Sequence, residues 1–188
     1  ITKYSQDKYY CEKILFDYNC KNFQPVIVRP ATLFGISNRI RFDLVVNILT
    51  VNGVLERNIL VHGGNQLRPN LHVKDMVDFY SCLLKSSDEL VGGSAFNIGL
   101  ENHTVSDLAC MVKNTIANKL FFNSRIKTIS INDTRSYQIN SDKAFKQLGF
   151  RPKRSLFAGI ETMIDYLVKS NLNSVTDTLK YSNVNQVK

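Results

Sequence analysis

Short apolar runs that close at proline or glycine alternate with stretches of helical periodicity along almost the whole chain. That alternation constrains the fold more than any other feature. Pro25-Val26-Ile27-Val28 is a continuous apolar run closed by Arg29-Pro30, the pattern of a strand buried in a parallel sheet. Arg57 to His62, Ser94 to Ile98 and Ile126 to Ile131 read as further strands. Between the strands, Tyr4 to Asn19 places Cys11, Ile14, Leu15 and Tyr18 at the spacing of one helical face. Phe42 to Asn52 predicts a helix with Gly53 as its stop. Lys74 to Lys85 carries Met76, Val77, Tyr80, Leu83 and Leu84 on one side.

Thr104 is an N-cap for a helix to about Lys119, with Val105, Leu108, Met111, Val112 and Ile116 as its core face. Ser141 to Leu148 is a short helix stopped by Gly149, and Ser155 caps a last helix through Val168. Ala31 to Arg41 reads as a loop. Strands alternating with helices predict an α/β protein with a parallel sheet. Beyond Ser170 the composition turns to Asn, Ser, Thr, Lys and Val without a period. The expected organisation is one domain over residues 1–170 and a mobile tail over 171–188.

A chain of 188 residues with 44% hydrophobic content can bury one core. Its apolar runs are too short to cross a bilayer, and nothing resembles a signal peptide, so a cytoplasmic location is expected. The first residue is Ile1, which predicts a piece of a longer chain or a processed product. Cys11, Cys20, Cys82 and Cys110 lack any C-x-x-C spacing, a pattern of reduced thiols rather than of zinc ligands or a disulfide framework. The net charge of +8 invites a nucleic-acid reading, but the 24 basic residues are spread without a block of five. A solvated basic surface that also gathers anionic ligands is the better reading.

Three groups of residues carry chemistry. Tyr4 and Lys8, one turn apart, share a helical face, where an ammonium beside a phenol favours the phenolate and suits it to acid/base work. Glu12 completes Tyr-x-x-x-Lys-x-x-x-Glu, while Tyr9 and Lys13, with Asp17, make a poorer second match. Arg29-Pro30-Ala31-Thr32-Leu33-Phe34-Gly35 marks a strand end and its loop, where ligands bind in open α/β sheets. Arg68-Pro69-Asn70-Leu71-His72-Val73-Lys74-Asp75 follows the Gly63-Gly64 turn and leads into a helix. There Arg68 offers a planar fork for a diphosphate, whereas His72 reads as a hydrogen-bonded brace and Asp75 as a loop organiser or first-turn residue.

In this order the segments resemble the extended short-chain dehydrogenases, the family of NAD-dependent nucleotide-sugar epimerases and dehydratases. Phe96-Asn97-Ile98-Gly99, Asp133-Thr134-Arg135-Ser136-Tyr137, Ser141-Asp142-Lys143-Ala144 and Leu148-Gly149-Phe150-Arg151-Pro152 extend the resemblance to about Val168. It implies the C-terminal part of a Rossmann-like parallel sheet plus a small α/β substrate-binding lobe. It also implies Tyr4 as acid/base, Lys8 as its partner on the ribose of NAD or NADP, and Pro30 beside the nicotinamide. For the nucleotide sugar it implies Thr32, Asp43, Asn47, Arg68 and Arg135. Asp43 can equally decorate its helix start.

The resemblance also marks what this sequence lacks. No Gly-x-x-Gly-x-x-Gly loop for the cofactor pyrophosphate is present, nor the family's Ser or Thr upstream of the tyrosine. The chain alone is therefore expected to be inactive, with a missing N-terminal half supplied in cis or in trans and a sheet edge left open. A homodimer through the Tyr4-to-Asn19 helix is implied by the family alone. An epimerase is the first reading. A 4,6-dehydratase or reductase, and a non-catalytic nucleotide- or RNA-binding protein on the same scaffold, are the alternatives.

Overall fold

The computed structural model describes residues 2–130, 135–170 and 172. The predicted tail over 171–188 thus lies almost entirely outside the described residues, as do Asp133 and Thr134 of the motif region and the end of the strand expected to reach Ile131.

In chain order the elements are α1 (Lys3–Asp17), β1 (Ile27–Pro30), β2 (Thr32–Phe34), α2 (Val45–Leu55), β3 (Asn58–His62), β4 (Leu67–His72), α3 (Val73–Lys85), α4 (Asp88–Val91), β5 (Ala95–Ile98), β6 (Glu101–Thr104), α5 (Val105–Leu120), β7 (Arg125–Ile129), α6 (Asp142–Leu148) and α7 (Leu156–Lys169). The strands form three small sheets. β1 pairs with β5 in parallel, Ile27 opposite Ala95. β4 lies between parallel β2 and antiparallel β6. β3 pairs with β7 in parallel, Asn58 opposite Arg125. The expected mixed α/β architecture with parallel pairing is present.

The main core joins Val46 and Leu49 of α2, Ile59 and Val61 of β3, Leu108, Val112 and Ile116 of α5, and Ile160 and Ile164 of α7. A second cluster packs Leu71, Met76, Phe79, Phe96 and Ile98 between α3 and the β1–β5 pair. Fully burying one such side chain contributes about 1.5–3 kcal/mol, so these two clusters hold the strand ends that the site is built on.

Several local expectations are corrected. The segment Ala31 to Arg41 is not all loop, because Thr32 to Phe34 pairs with Asn70 to His72. The Arg68 segment is itself a strand. Pro69 is tolerated there because β2 reaches only as far as Asn70, so no neighbour asks for the missing N–H on that side. α2 starts at Val45 and runs through Gly53. That glycine is a close-approach position: a Cβ would meet Ile116 Cδ1 at 2.6 Å. On α3 the buried face is Asp75, Met76, Phe79 and Leu83, whereas Val77, Tyr80 and Leu84 are exposed. α4 and β6 were not legible in the apolar pattern. The Thr104 cap is a full capping box with Asp107.

α1 forms where its periodicity predicts, with Thr2 capping it through Ser5 N–H. Yet none of its residues is buried. The apolar face of Ile14, Leu15 and Tyr18 is exposed. β1 likewise pairs only with β5 among the described residues, leaving its other edge open.

Candidate functional site

A cleft of about 610 Å³ opens where the carboxyl ends of β1 and β2 meet α1 and the start of α2. Tyr4, Pro30, Thr32, Gly35, Arg39, Arg41, Leu44, Asn47 and Tyr137 line it. Strand ends of an open α/β sheet leave such crevices because the connecting chain departs to opposite sides there.

Among the described residues one ion pair ties α1 to the sheet. Arg29 Nε lies 2.9 Å from both carboxylate oxygens of Glu12, and its terminal nitrogen also donates to Oε2. That contact raises the Arg29 pKa, chiefly through the hydrogen bonds to Glu12. Glu12 is thus the strut that ties α1, which carries Tyr4, to β1, which ends at Pro30. Tyr4 is 71% exposed, and the Lys8 ammonium stands 5.8 Å from the centroid of its ring. The pair shares a face as the spacing requires, with Lys8 outside the cleft lining.

The opposite wall is built by backbone geometry. Gly35 adopts φ +103, and a Cβ there would sit 2.7 Å from His72 Nε2; only glycine fits both the angle and the contact. Asn47 spans the loop, accepting from Gly35 N–H at 3.1 Å and donating to the Arg41 carbonyl at 2.9 Å. It therefore lines the cleft mainly as a clip. Asp43 pairs with Arg41 at 2.8 and 3.1 Å, so of these two it is Arg41, raised in pKa first by Asp43 and further by nearby Tyr4, that reaches the cleft.

Two features escaped the sequence reading. The N-terminus of α2 borders the cleft through Leu44 and Asn47, and its N-cap, Leu44, makes no side-chain cap hydrogen bond, so the positive end of the helix dipole lies beside the cleft. A leucine carries no capping signal, so the apolar periodicity from Phe42 points to a start three residues before the observed one at Val45. Tyr137 also closes the rim. Its ring lies 5.1 Å from the Arg68 guanidinium, and Arg68 donates to the carbonyls of Leu67 and Arg135 at 2.9 and 2.6 Å. Arg68 and Arg135 are thus neighbours at the rim, one step behind the residues that line the cleft.

His72 and Asp75 brace this arrangement. His72 is buried, accepts Lys74 N–H through Nδ1 at 3.1 Å as the cap of α3, and meets the Phe34 ring edge-on at 5.2 Å. Burial pushes its pKa down, against an opposing pull from Asp75. Asp75 accepts from the backbone N–H groups of Lys153 and Arg154 at 3.2 and 2.9 Å and pairs with the Arg154 guanidinium. It ties α3 to the segment entering α7. Among the described residues no cluster suited to a metal ion occurs, and no helix is long and apolar enough to cross a membrane.

Residues 1–99 match the NAD dependent epimerase/dehydratase family. Among solved structures, the chain is similar to dTDP-glucose 4,6-dehydratase from Bacillus anthracis in complex with NAD. That match has a TM-score of 0.76 and 19% identity over 90% of this chain and 53% of that one. UDP-glucose 4-epimerase from Thermotoga maritima with UDP-glucose matches with a TM-score of 0.72 and 24% identity, over 90% of this chain and 54% of that one. UDP-glucuronic acid 4-epimerase from Bacillus cereus, with UDP-glucuronic acid and NAD, gives 0.70 and 24% over 84% and 50%. At these identities the likeness is one of fold, and the chain spans about half the length of the structures it matches.

Proposed function

The chain belongs to the NAD-dependent epimerase/dehydratase family, and from that premise we propose that it forms the nucleotide-sugar-binding and acid/base portion of an NAD-dependent epimerase. One observation carries this reading: a single cleft joins the Tyr4 phenol to the N-terminal end of α2 and two arginines, Arg39 and Arg41. A helix N-terminus beside guanidinium groups suits a diphosphate, and a phenol suits proton transfer at a sugar hydroxyl. Arg68 and Arg135, at the rim, add positive potential on the side of Tyr137. Thr32 supplies a hydroxyl at the cleft wall.

Tyr4 and Pro30 both line the cleft, which fits the nicotinamide-ribose end of NAD, with Lys8 as the ribose partner. The sequence carries no glycine loop for the pyrophosphate, so this chain would hold only that end. A bound cofactor would supply the hydride chemistry at a sugar carbon. The work of the chain itself is to grip the diphosphate, orient the sugar and pass the hydroxyl proton at the Tyr4 oxygen. We place the remaining half of the working enzyme in a segment supplied in cis or in trans, against the open edge of β1.

The test is turnover of UDP-, dTDP- and GDP-sugars by the full-length protein with NAD, products being identified by NMR. Tyr4→Phe should lower kcat at least about a hundredfold while leaving sugar-nucleotide binding within about twofold. Undiminished turnover by that variant would sink the assignment. The product also separates an epimerase from a dehydratase.

A further inference from the structure

We propose that the free edge of β7 is a docking site for an extended acidic peptide, which adds to the β3–β7 pair as a third strand. β7 bonds to β3 through alternate residues: Arg125 N–H donates to the Arg57 carbonyl, and Gly63 N–H donates to the Ile129 carbonyl. By that alternation the backbone groups of Ile126 and Thr128 point away from β3. Among the described residues no strand pairs with them. An unpaired row of N–H and C=O groups is a template for another strand.

The side chains select the sign of the partner. Register and burial place Asn58, Leu60 and His62 of β3 on the same face as Arg125, Lys127 and Ile129 of β7. Among the described residues these six strand positions include no carboxylate, and neither Arg125 nor Lys127 has an ion-pair partner. Arg57, at the same end of the sheet, stacks on Phe122 at 4.5 Å and adds a third cation. Phe121, held at φ +56 as the C-cap of α5, is 92% exposed four residues before the strand. It offers an apolar contact to a peptide end.

A second copy of this chain is the poorer occupant. Antiparallel pairing of two β7 strands would bring Arg125 and Lys127 of one copy against the same charges of the other, which is destabilising. A strand with carboxylates at alternate positions meets both cations and completes the ladder at Ile126 and Thr128.

The probe is a fluorescein-labelled octapeptide of alternating glutamate and valine, titrated by anisotropy against the full-length protein at low salt. Binding is expected, and it should weaken at least about tenfold when lysine replaces glutamate in the peptide or in the Lys127→Glu variant. Thr128→Pro removes an outward N–H without touching the pairing to β3, and should weaken binding comparably. Unchanged affinity in Thr128→Pro would overturn strand addition, leaving only a charge effect. Equal affinity for a labelled polyuridine octamer would overturn the peptide assignment in favour of phosphates. Absence of binding to the folded protein would overturn the site altogether.

Discussion

The Arg68 guanidinium lies over the Tyr137 ring, 5.1 Å from its centroid, and joins β4 to the rim of the cleft. Ser136 Oγ accepts Leu67 N–H at 3.0 Å beside it, so the two segments meet through both side chain and backbone. A cation–π contact of this kind contributes about 0.5–1 kcal/mol at an exposed site. Tyr137→Ala should therefore weaken nucleotide-sugar binding by about two- to fivefold, and Tyr137→Phe should leave it unchanged. Calorimetric titration of the two variants distinguishes them.

Arg68→Ala removes a cation as well as the stack. The loss of positive potential at the rim adds to the loss of the ring contact, so the expected loss in affinity is about tenfold. The same titration reads it, and equal affinity in Arg68→Ala and the parent would remove Arg68 from the binding site.

Glu12→Ala deletes the strut between α1 and β1. Partly exposed ion pairs contribute about 0.2–1 kcal/mol, and no buried residue of α1 compensates. Amide exchange in α1 should accelerate by up to about fivefold while the α5 amides, in the main core, stay unchanged. Hydrogen-exchange mass spectrometry resolves the two helices.

His72 gives stability a pH dependence. Burial holds its folded-state pKa below the ordinary value, so the unfolded chain takes up the proton first as pH falls. Stability is therefore fully present above about pH 6.5 and declines as pH drops below it. The urea midpoint should be lower at pH 5.5 than at pH 7.5, and His72→Asn, which can still cap α3, should flatten most of that slope.

Asp75 is almost wholly buried and accepts from two backbone N–H groups and a guanidinium. Its replacement by alanine leaves those donors unmet. The expected cost is about 2–4 kcal/mol, read from the denaturant midpoint.

The sequence was most readable where one pattern had one cause. The strand ending at Pro30, the Thr104 and Ser155 caps and the Gly149 stop each came from a local signal that tertiary packing did not contest. It was misleading where packing overrode a local rule. Gly53 resembles a helix stop, yet it is kept small by Ile116 and Ile59 of neighbouring elements. Pro69 discourages a strand reading, and only the short reach of β2 makes that strand possible. Leu44 gave no sign of the helix N-terminus it caps. The cleft residues were legible as types, but not that Asn47 is committed to backbone atoms or that Asp43 reaches the cleft only through Arg41.

The bare helix α1 sets a population. If Glu12 and Arg29 supply about 1 kcal/mol of docking, roughly one molecule in six would carry Tyr4 away from the cleft at any moment. Ligand affinity would barely register that fraction, since the proposed diphosphate grip lies on α2 and the rim. A surface that covered the exposed tyrosines and Ile14 would move the balance almost wholly to the docked state. The proposed acid/base would then be present in nearly every molecule, and covering one helix would act as a throttle on turnover rather than on binding.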